Sequence, residues 1–244
     1  MSIPKKLKQE VESRWSPYDS SVDEWTPYEN LKATVLSPIC SSAKIGIPVK
    51  YDLAPIWGIT PSNVEYARGG VQAGDYLIFY SGNGNFPYIG KVGMKTNSSK
   101  LAETLWPYHK LNRERGGWAT SDIPSNLLYL DTVWYAEIST EIVQKLRFSK
   151  DTVIRGIGQV KKNRIKRLRT SVEEIIKNNT GQIRSVAIKR NSFMRNNIRR
   201  QMNKGATDEK LLSIACKAND IDSSRLSQSA KEDIIKCLKT IYPE

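Results

Sequence analysis

The stretch Gly74 to Trp106, GDYLIFYSGNGNFPYIGKVGMKTNSSKLAETLW, carries the clearest strand pair in the chain. Tyr76 to Tyr80 is a run of aromatic and branched residues between Gly74-Asp75 and Ser81-Gly82, and Tyr88 to Met94 is a second run beyond a Gly/Asn loop. Such side chains suit a pleated, half-buried surface, so the runs read as antiparallel strands joined by a turn. The loop Ser81-Gly82-Asn83-Gly84-Asn85 accepts positive φ and leaves backbone amides open, which serves a phosphate or a plain reversal of the chain. A lone glycine-rich loop is most simply a hairpin turn. Asn97 to Leu105 reads as a helical turn, and it delivers Trp106 to a place with no obvious core partner.

Outward from this stretch, Asn30 to Leu36 reads as a strand, Pro38 to Pro48 as a loop, and Val49 to Gly58 as a strand running into a turn. Trp57 is followed by Gly58 and Thr60-Pro61, an unusual setting for a core tryptophan, and Ser62 to Ala67 has the cap and first-turn acid of a short helix. Tyr108 to Asn126, with Arg113, Arg115, Gly116, Gly117 and Trp118, is polar and irregular. Loops of that length in compact domains are usually functional or disordered. Leu127 to Ile138 is a strong strand, with Val133 and Tyr135 on one face and Trp134 and Ala136 on the other. Residues 30–150 thus form a strand-rich α+β domain. Residues 1–29 are an extended arm in which Trp15-Ser16-Pro17-Tyr18 and Trp25-Thr26-Pro27-Tyr28 repeat one small pattern.

Charge is the sharpest compositional feature. Residues 151–205 hold 15 Lys and Arg against 3 Asp and Glu, a net of +12 out of the +13 carried by all 244 residues. A block this concentrated is the footprint of a polyanion, and nucleic acid is the first candidate. No apolar run approaches the roughly 18 residues of a membrane span, and the charged start MSIPKKLKQEVESRW lacks a signal-peptide core. Three cysteines, Cys40, Cys216 and Cys237, are an odd number at wide spacing, which argues against a disulfide framework and a zinc site. The expected setting is reducing and cytoplasmic, or nuclear in a eukaryote.

The basic segment opens with glycines at Gly156 and Gly158 and continues as a dense run to Arg169, and Thr170-x-x-Glu173 is a capping box for a helix over Ser171 to Asn178. Ile183 to Met202 reads as a helix with Val186, Phe193, Ile198 and Met202 as apolar contacts. The cations assigned to the nucleic-acid backbone are Lys161, Lys162, Arg164, Lys166, Arg167, Arg169, Lys189, Arg190, Arg195, Arg199 and Arg200. Backbone contact positions a protein without reading sequence, so no base-specific role is given to them. The tail, residues 206–244, has helices over Asp208 to Asn219 and Lys231 to Tyr242, the second opened by Ser229-x-x-Glu232. With Leu211, Leu212, Ile221, Ile234, Ile235 and Leu238 as a core, it resembles the small SAP-type DNA-binding module. A helical hairpin docked on the main domain or on a partner protein is the other reading.

Several short motifs in order give residues 30–150 a more specific likeness. Lys50-Tyr51-Asp52 through Ile56-Trp57, then Phe79 to Phe86 with Ser81, Asn83 and Gly84, then Gly90, Met94 and Leu105-Trp106, then Asp131-x-Val133-Trp134, resemble a YTH domain and its EVE relatives of the PUA-like superfold. The resemblance implies a small, partly open β-barrel with flanking helices, followed here by an all-α C-terminal region. It implies a reader of a modified base, N6-methyladenine in DNA being the first candidate, as in sensors of modification-dependent restriction or defence systems. On that likeness Trp57 and Trp106 match two walls of an aromatic cage, and Trp134 matches a core tryptophan. The third wall falls among Tyr108, His109, Leu111 and Trp118, of which Trp118 is taken. Asp52 lies near a position that contacts the base edge, with Thr60, Ser81, Asn83 and Gly84 as the rim. The physics of a cage is independent of the family: aromatic faces stacked on a base are worth about 1–3 kcal/mol each.

His109 is the only histidine, which excludes multi-histidine metal sites. Phe79-Tyr80 and Tyr88-Ile89-Gly90 mimic the GIY-YIG nuclease signature, with Arg113 and Glu114 as the nearest further candidates. No P-loop or dinucleotide fingerprint is present. The expectation is a binding protein with no cofactor and no metal; a GIY-YIG-like nuclease, or a scaffold recruiting an effector nuclease or motor subunit through the C-terminal helices, are the alternatives.

Overall fold

A computed structural model describes residues 31–41, 50–59, 71–79, 86–106, 123–138, 172–174, 176–177 and 182–242. The expected arm, the helix at Ser62–Ala67, the Gly/Asn loop, the Tyr108–Leu111 and Trp118 positions, Arg113, Glu114 and the run 155–169 lie outside these residues. The strands are β1 (Ile39–Cys40), β2 (Tyr51–Ala54), β3 (Ile56–Ile59), β4 (Tyr76–Phe79), β5 (Phe86–Asn97), β6 (Asn126–Ile138), β7 (Ile183–Val186) and β8 (Ile188–Lys189). The helices are α1 (Ser99–Leu105), α2 (Ser192–Met202), α3 (Asp208–Ala218) and α4 (Gln228–Ile241).

The hairpin expected in Gly74–Trp106 is β4 paired antiparallel to β5, with Ile78 opposite Ile89. β5 pairs along nearly its whole length with β6. The other edge of β6 is shared: β3 takes Asn126–Tyr129 and β7 takes Thr132–Trp134. Between them the Leu130 amide donates to the Pro55 carbonyl at 3.0 Å and the Ala187 amide to the Asp131 carbonyl at 2.9 Å. At those two residues the chain changes sheet. β2 pairs with β1 and β8, whereas β3, one residue beyond Pro55, joins the large sheet; β7 and β8 divide in the same way at Ala187. Proline cannot donate to a ladder and so sits naturally at such a corner. Bulges at Asp131 and Gly93 add to the bend. The result is an α+β fold whose sheet curls into a half-barrel.

Gly93 is required by close approach. A β-carbon there would stand on the Asp131 carboxylate and 2.9 Å from the Tyr51 hydroxyl. That hydroxyl lies 3.5 Å from Asp131 Oδ1, and burial, then the Asp131 charge, hold its pKa far above the ordinary tyrosine range. Tyr51 stacks parallel on Tyr129, centroids 5.7 Å apart.

Apolar side chains cover the sheets in separate layers. α1, capped by the Ser98 side chain on the Leu101 amide, sets Leu101, Leu105 and Trp106 against Ile56, Leu127 and Tyr129. The opposite face gathers Leu31, Val35, Ile59, Phe79, Val92 and Leu128, with Trp57 packed beside them. A third layer joins Leu53, Ile183, Val186 and Ile188 to Met194, Ile198, Leu211, Leu212, Ile234 and Leu238 of the C-terminal helices.

Four expectations are corrected. Leu31–Val35 is a π-helical turn, not a strand: the Leu36 amide donates to the Leu31 carbonyl at 2.7 Å, and Leu31, Ala33, Thr34 and Val35 are all buried where a strand would alternate. The helix expected from Ile183 begins only at Ser192, because Ile183–Lys189 is drawn into the sheets by β6 and β2. The basic segment is therefore partly strand, and residues 183–189 complete the sheets of the domain placed at 30–150. The last helix starts at Gln228 rather than Lys231, with Ser227 in place of Ser229 as the cap, accepting from the Ala230 amide at 3.1 Å. Finally, Cys40 and Cys237 form a disulfide across 197 residues, joining β1 to α4, so the inference from cysteine number to a reducing setting loses its premise. Among the described residues no helix is long and apolar enough to cross a membrane.

Candidate nucleic-acid interface

Asp52 sits in β2 with no exposed surface. Its Oδ1 accepts from Arg190 Nε at 3.1 Å and from Arg195 Nη2 at 2.9 Å, and its Oδ2 accepts from Arg195 Nε at 3.3 Å. Arg190 also donates to Ser41 Oγ at 3.2 Å, and Ser41 donates to the Tyr51 carbonyl at 2.9 Å. One buried carboxylate thus anchors two guanidinium groups, which leaves a positive charge over. Both arginines keep an outer edge in solvent, with side chains 25% and 30% exposed.

The local sequence explains why these groups meet. Arg190 precedes Asn191, whose side chain caps α2 by accepting from the Met194 amide at 3.1 Å. Met194 and Ile198 are the buried stripe of α2, so residues between and beside them look outward. Arg195 and Arg199, four apart, lie along one side of the helix. Both lie over the ring of Tyr242, at 5.7 and 5.9 Å from its centroid, within cation–π range. Burial, then the Asp52 charge, push the Tyr242 hydroxyl up to about 12 against the pull of Arg195 and Arg199, so the ring is neutral near pH 7. Tyr242 reaches this place because α4 is fastened to β1 by the disulfide, with Cys237 Sγ 3.2 Å from the Asp52 carbonyl.

From Lys189 to Lys204 the sequence holds Lys189, Arg190, Arg195, Arg199, Arg200 and Lys204 and no acidic residue. Lys189 is tied 3.6 Å from Asp131 Oδ1. Arg199 and Arg200 are exposed and make no ion pair with the described residues. A mixed-charge groove between α3 and α4, lined by Asp208, Glu209, Glu232 and Lys239, is bridged by the Lys239–Asp208 pair at 2.8 Å and offers no comparable excess of one sign.

The cage residues are distributed differently from the expectation. Trp57 is half-buried, its ring edge-on to Phe79 with centroids 5.2 Å apart. Trp106 is 2% exposed and lies over Gly58, where an added β-carbon would be 2.6 Å from its Cη2. Consecutive strand residues point to opposite faces, so Trp57 and Trp106 occupy opposite sides of β3 and do not face each other across one space. Trp106 belongs to the core layer with Leu101 and Leu105. Asp52, expected at a base edge, has both oxygens taken by arginines. Trp134 is partly buried in core, as expected. Trp118, Thr60, Ser81, Asn83, Gly84, Lys161, Lys162, Arg164, Lys166, Arg167 and Arg169 lie outside the described residues.

Sequence reasoning missed Ser41 and Tyr242 as parts of this cluster and placed Phe193 in the core, whereas it is 79% exposed. The acid-free run around α2 was a usable sign; the Asp52 anchor, 138 and 143 residues from its partners, left none. No protein-family model, curated protein or solved structure matches the chain.

Proposed function

We propose that this chain is a nucleic-acid-binding protein that holds the phosphate backbone with the basic face of α2 and reads a modified base, N6-methyladenine in DNA being the first candidate. The observation that carries the reading is the guanidinium cluster itself: Arg190 and Arg195 are held by buried Asp52, and Arg199 joins Arg195 over Tyr242. Arginines restrained in this way lose less freedom when they bind phosphate than free surface cations do. In the sequence, the run 155–169 adds further cations to the same segment. The likeness of residues 30–150 to YTH and EVE domains supports base reading and a PUA-like identity for the half-barrel. On this reading Trp57, next to Phe79 and the start of the Gly/Asn loop, is the tryptophan that meets the base, and Trp106 is structural.

Binding is favoured over catalysis and over scaffolding by two features. Tyr88, the tyrosine that a GIY-YIG-like nuclease would use, is buried in the core, edge-on to Tyr135. The apolar faces of α3 and α4 are spent on Leu53, Ile183 and Ile188 inside this chain. The test is affinity for matched DNA oligonucleotides with and without N6-methyladenine. Wild type should prefer the methylated strand, and Trp57→Ala should lose the preference while keeping salt-dependent background binding. Equal affinity of the wild type for both strands would remove base reading.

A further inference from the structure

Phe193 is the most exposed large apolar side chain among the described residues, at 79%. One exposed apolar residue alone has no meaning; its neighbours supply one. On α2 the exposed positions are Ser192, Phe193, Asn196, Arg199 and Arg200. Arg200 lies seven residues on, two turns along the same stripe, and Asn196 lies between. No second exposed apolar side chain lies on α2, whereas a protein-docking face would need an apolar patch. Every charge on the helix is positive, which fits a polyanion. A flat, bare ring set among amides and guanidinium groups is the equipment for stacking on a base while phosphates are held on either side.

We propose that α2 is the element that meets an unpaired base of a single-stranded nucleic acid, with Phe193 stacked on the base and Arg199 and Arg200 on the neighbouring phosphates. This rests on the nucleic-acid reading above but is separate from any modified-base pocket, because Phe193 lies on α2 whereas Trp57 lies on β3. The contact uses the π-face that every base has, so it tolerates sequence. Being solvent-exposed, Phe193 can be removed with little effect on stability.

The experiment uses the full chain and two fluorescein-labelled DNA single strands of about 20 nucleotides, one bearing bases and one abasic throughout with the same phosphates. Phe193→Ala should weaken binding to the base-bearing strand by about tenfold and leave the abasic strand unchanged. Phe193→Trp should retain wild-type binding, and Arg199→Ala should weaken both strands alike. Wild-type affinity of Phe193→Ala for the base-bearing strand, or an equal loss on both strands, overturns the stacking role while leaving the nucleic-acid reading intact. Failure of the wild type to bind either strand at low salt overturns that reading, and this inference with it.

Discussion

Among the described residues of 31–138 most conspicuous side chains turn inward: Trp106 lies over Gly58, Tyr51 stacks on Tyr129, and Phe79 and Tyr88 are buried. In residues 183–242 the apolar side chains also turn inward, but the cations of α2 and the ring of Phe193 turn out. The first region carries nearly all the motifs that stand out in the sequence, and the second carries almost none. The difference teaches that a tryptophan or a glycine in an unusual context is as readily a packing solution as a ligand contact. It also shows that a charge run acquires a fixed geometry when the rest of the fold anchors it. Asp52 belongs to the first region and its partners to the second.

The largest contrast should appear in stability. Trp106→Ala removes a fully packed ring and should cost about 3–5 kcal/mol in urea unfolding, whereas Trp57→Ala, at a half-buried position, should cost about 1–2 kcal/mol. Equal costs would mean that the two tryptophans are not distinguished as described. Next comes the anchor. Asp52→Ala leaves Arg190 and Arg195 without their buried carboxylate and should cost about 3 kcal/mol, together with a loss of DNA affinity. Gain of affinity with unchanged stability would contradict a positioning role for Asp52. Reducing the Cys40–Cys237 disulfide, which ties the two regions together, should lower stability by about 2–4 kcal/mol.

Smaller effects follow with pH and salt. Burial raises the Cys216 thiol to about 11 from an ordinary 9.0, and it raises the Tyr129 hydroxyl to about 12 from 10.0. The fold favours their neutral forms, so stability is retained below about pH 9 and falls as pH climbs through 11 and then 12. Cys216→Ala should flatten the first part of that decline, which urea titrations at a series of pH values would show. Arg199→Ala should reduce the slope of log affinity against log salt by about 1 while leaving the fold intact.

Much of the first region was legible because its strands obey local rules: β4, β5 and β6 fall close to the aromatic and branched runs, and α1 to the helical turn read at Asn97–Leu105. Leu31–Val35 and Ile183–Lys189 were not, since short apolar runs suit several structures and the neighbouring strands decided between them. For the candidate site, the arginines of α2 were visible as composition. Their geometry was not, because Asp52, Ser41 and Tyr242 come from distant parts of the chain. Phe193 was misassigned for a simpler reason: its seven-residue spacing from Val186 fits one helix, but Val186 lies in β7 and Phe193 lies outside the Met194–Ile198 stripe of α2.

The polyanion reading is tested most directly by the salt dependence of full-length protein binding to unmodified single-stranded DNA. Three uncompensated charges, one left over where Asp52 holds Arg190 and Arg195 and one each from Arg199 and Arg200, give a slope of about −2, so affinity should fall about 20-fold between roughly 50 and 200 mM salt. Affinity that is flat across that range, or no binding at its low end, would contradict a nucleic-acid backbone as the partner of this face.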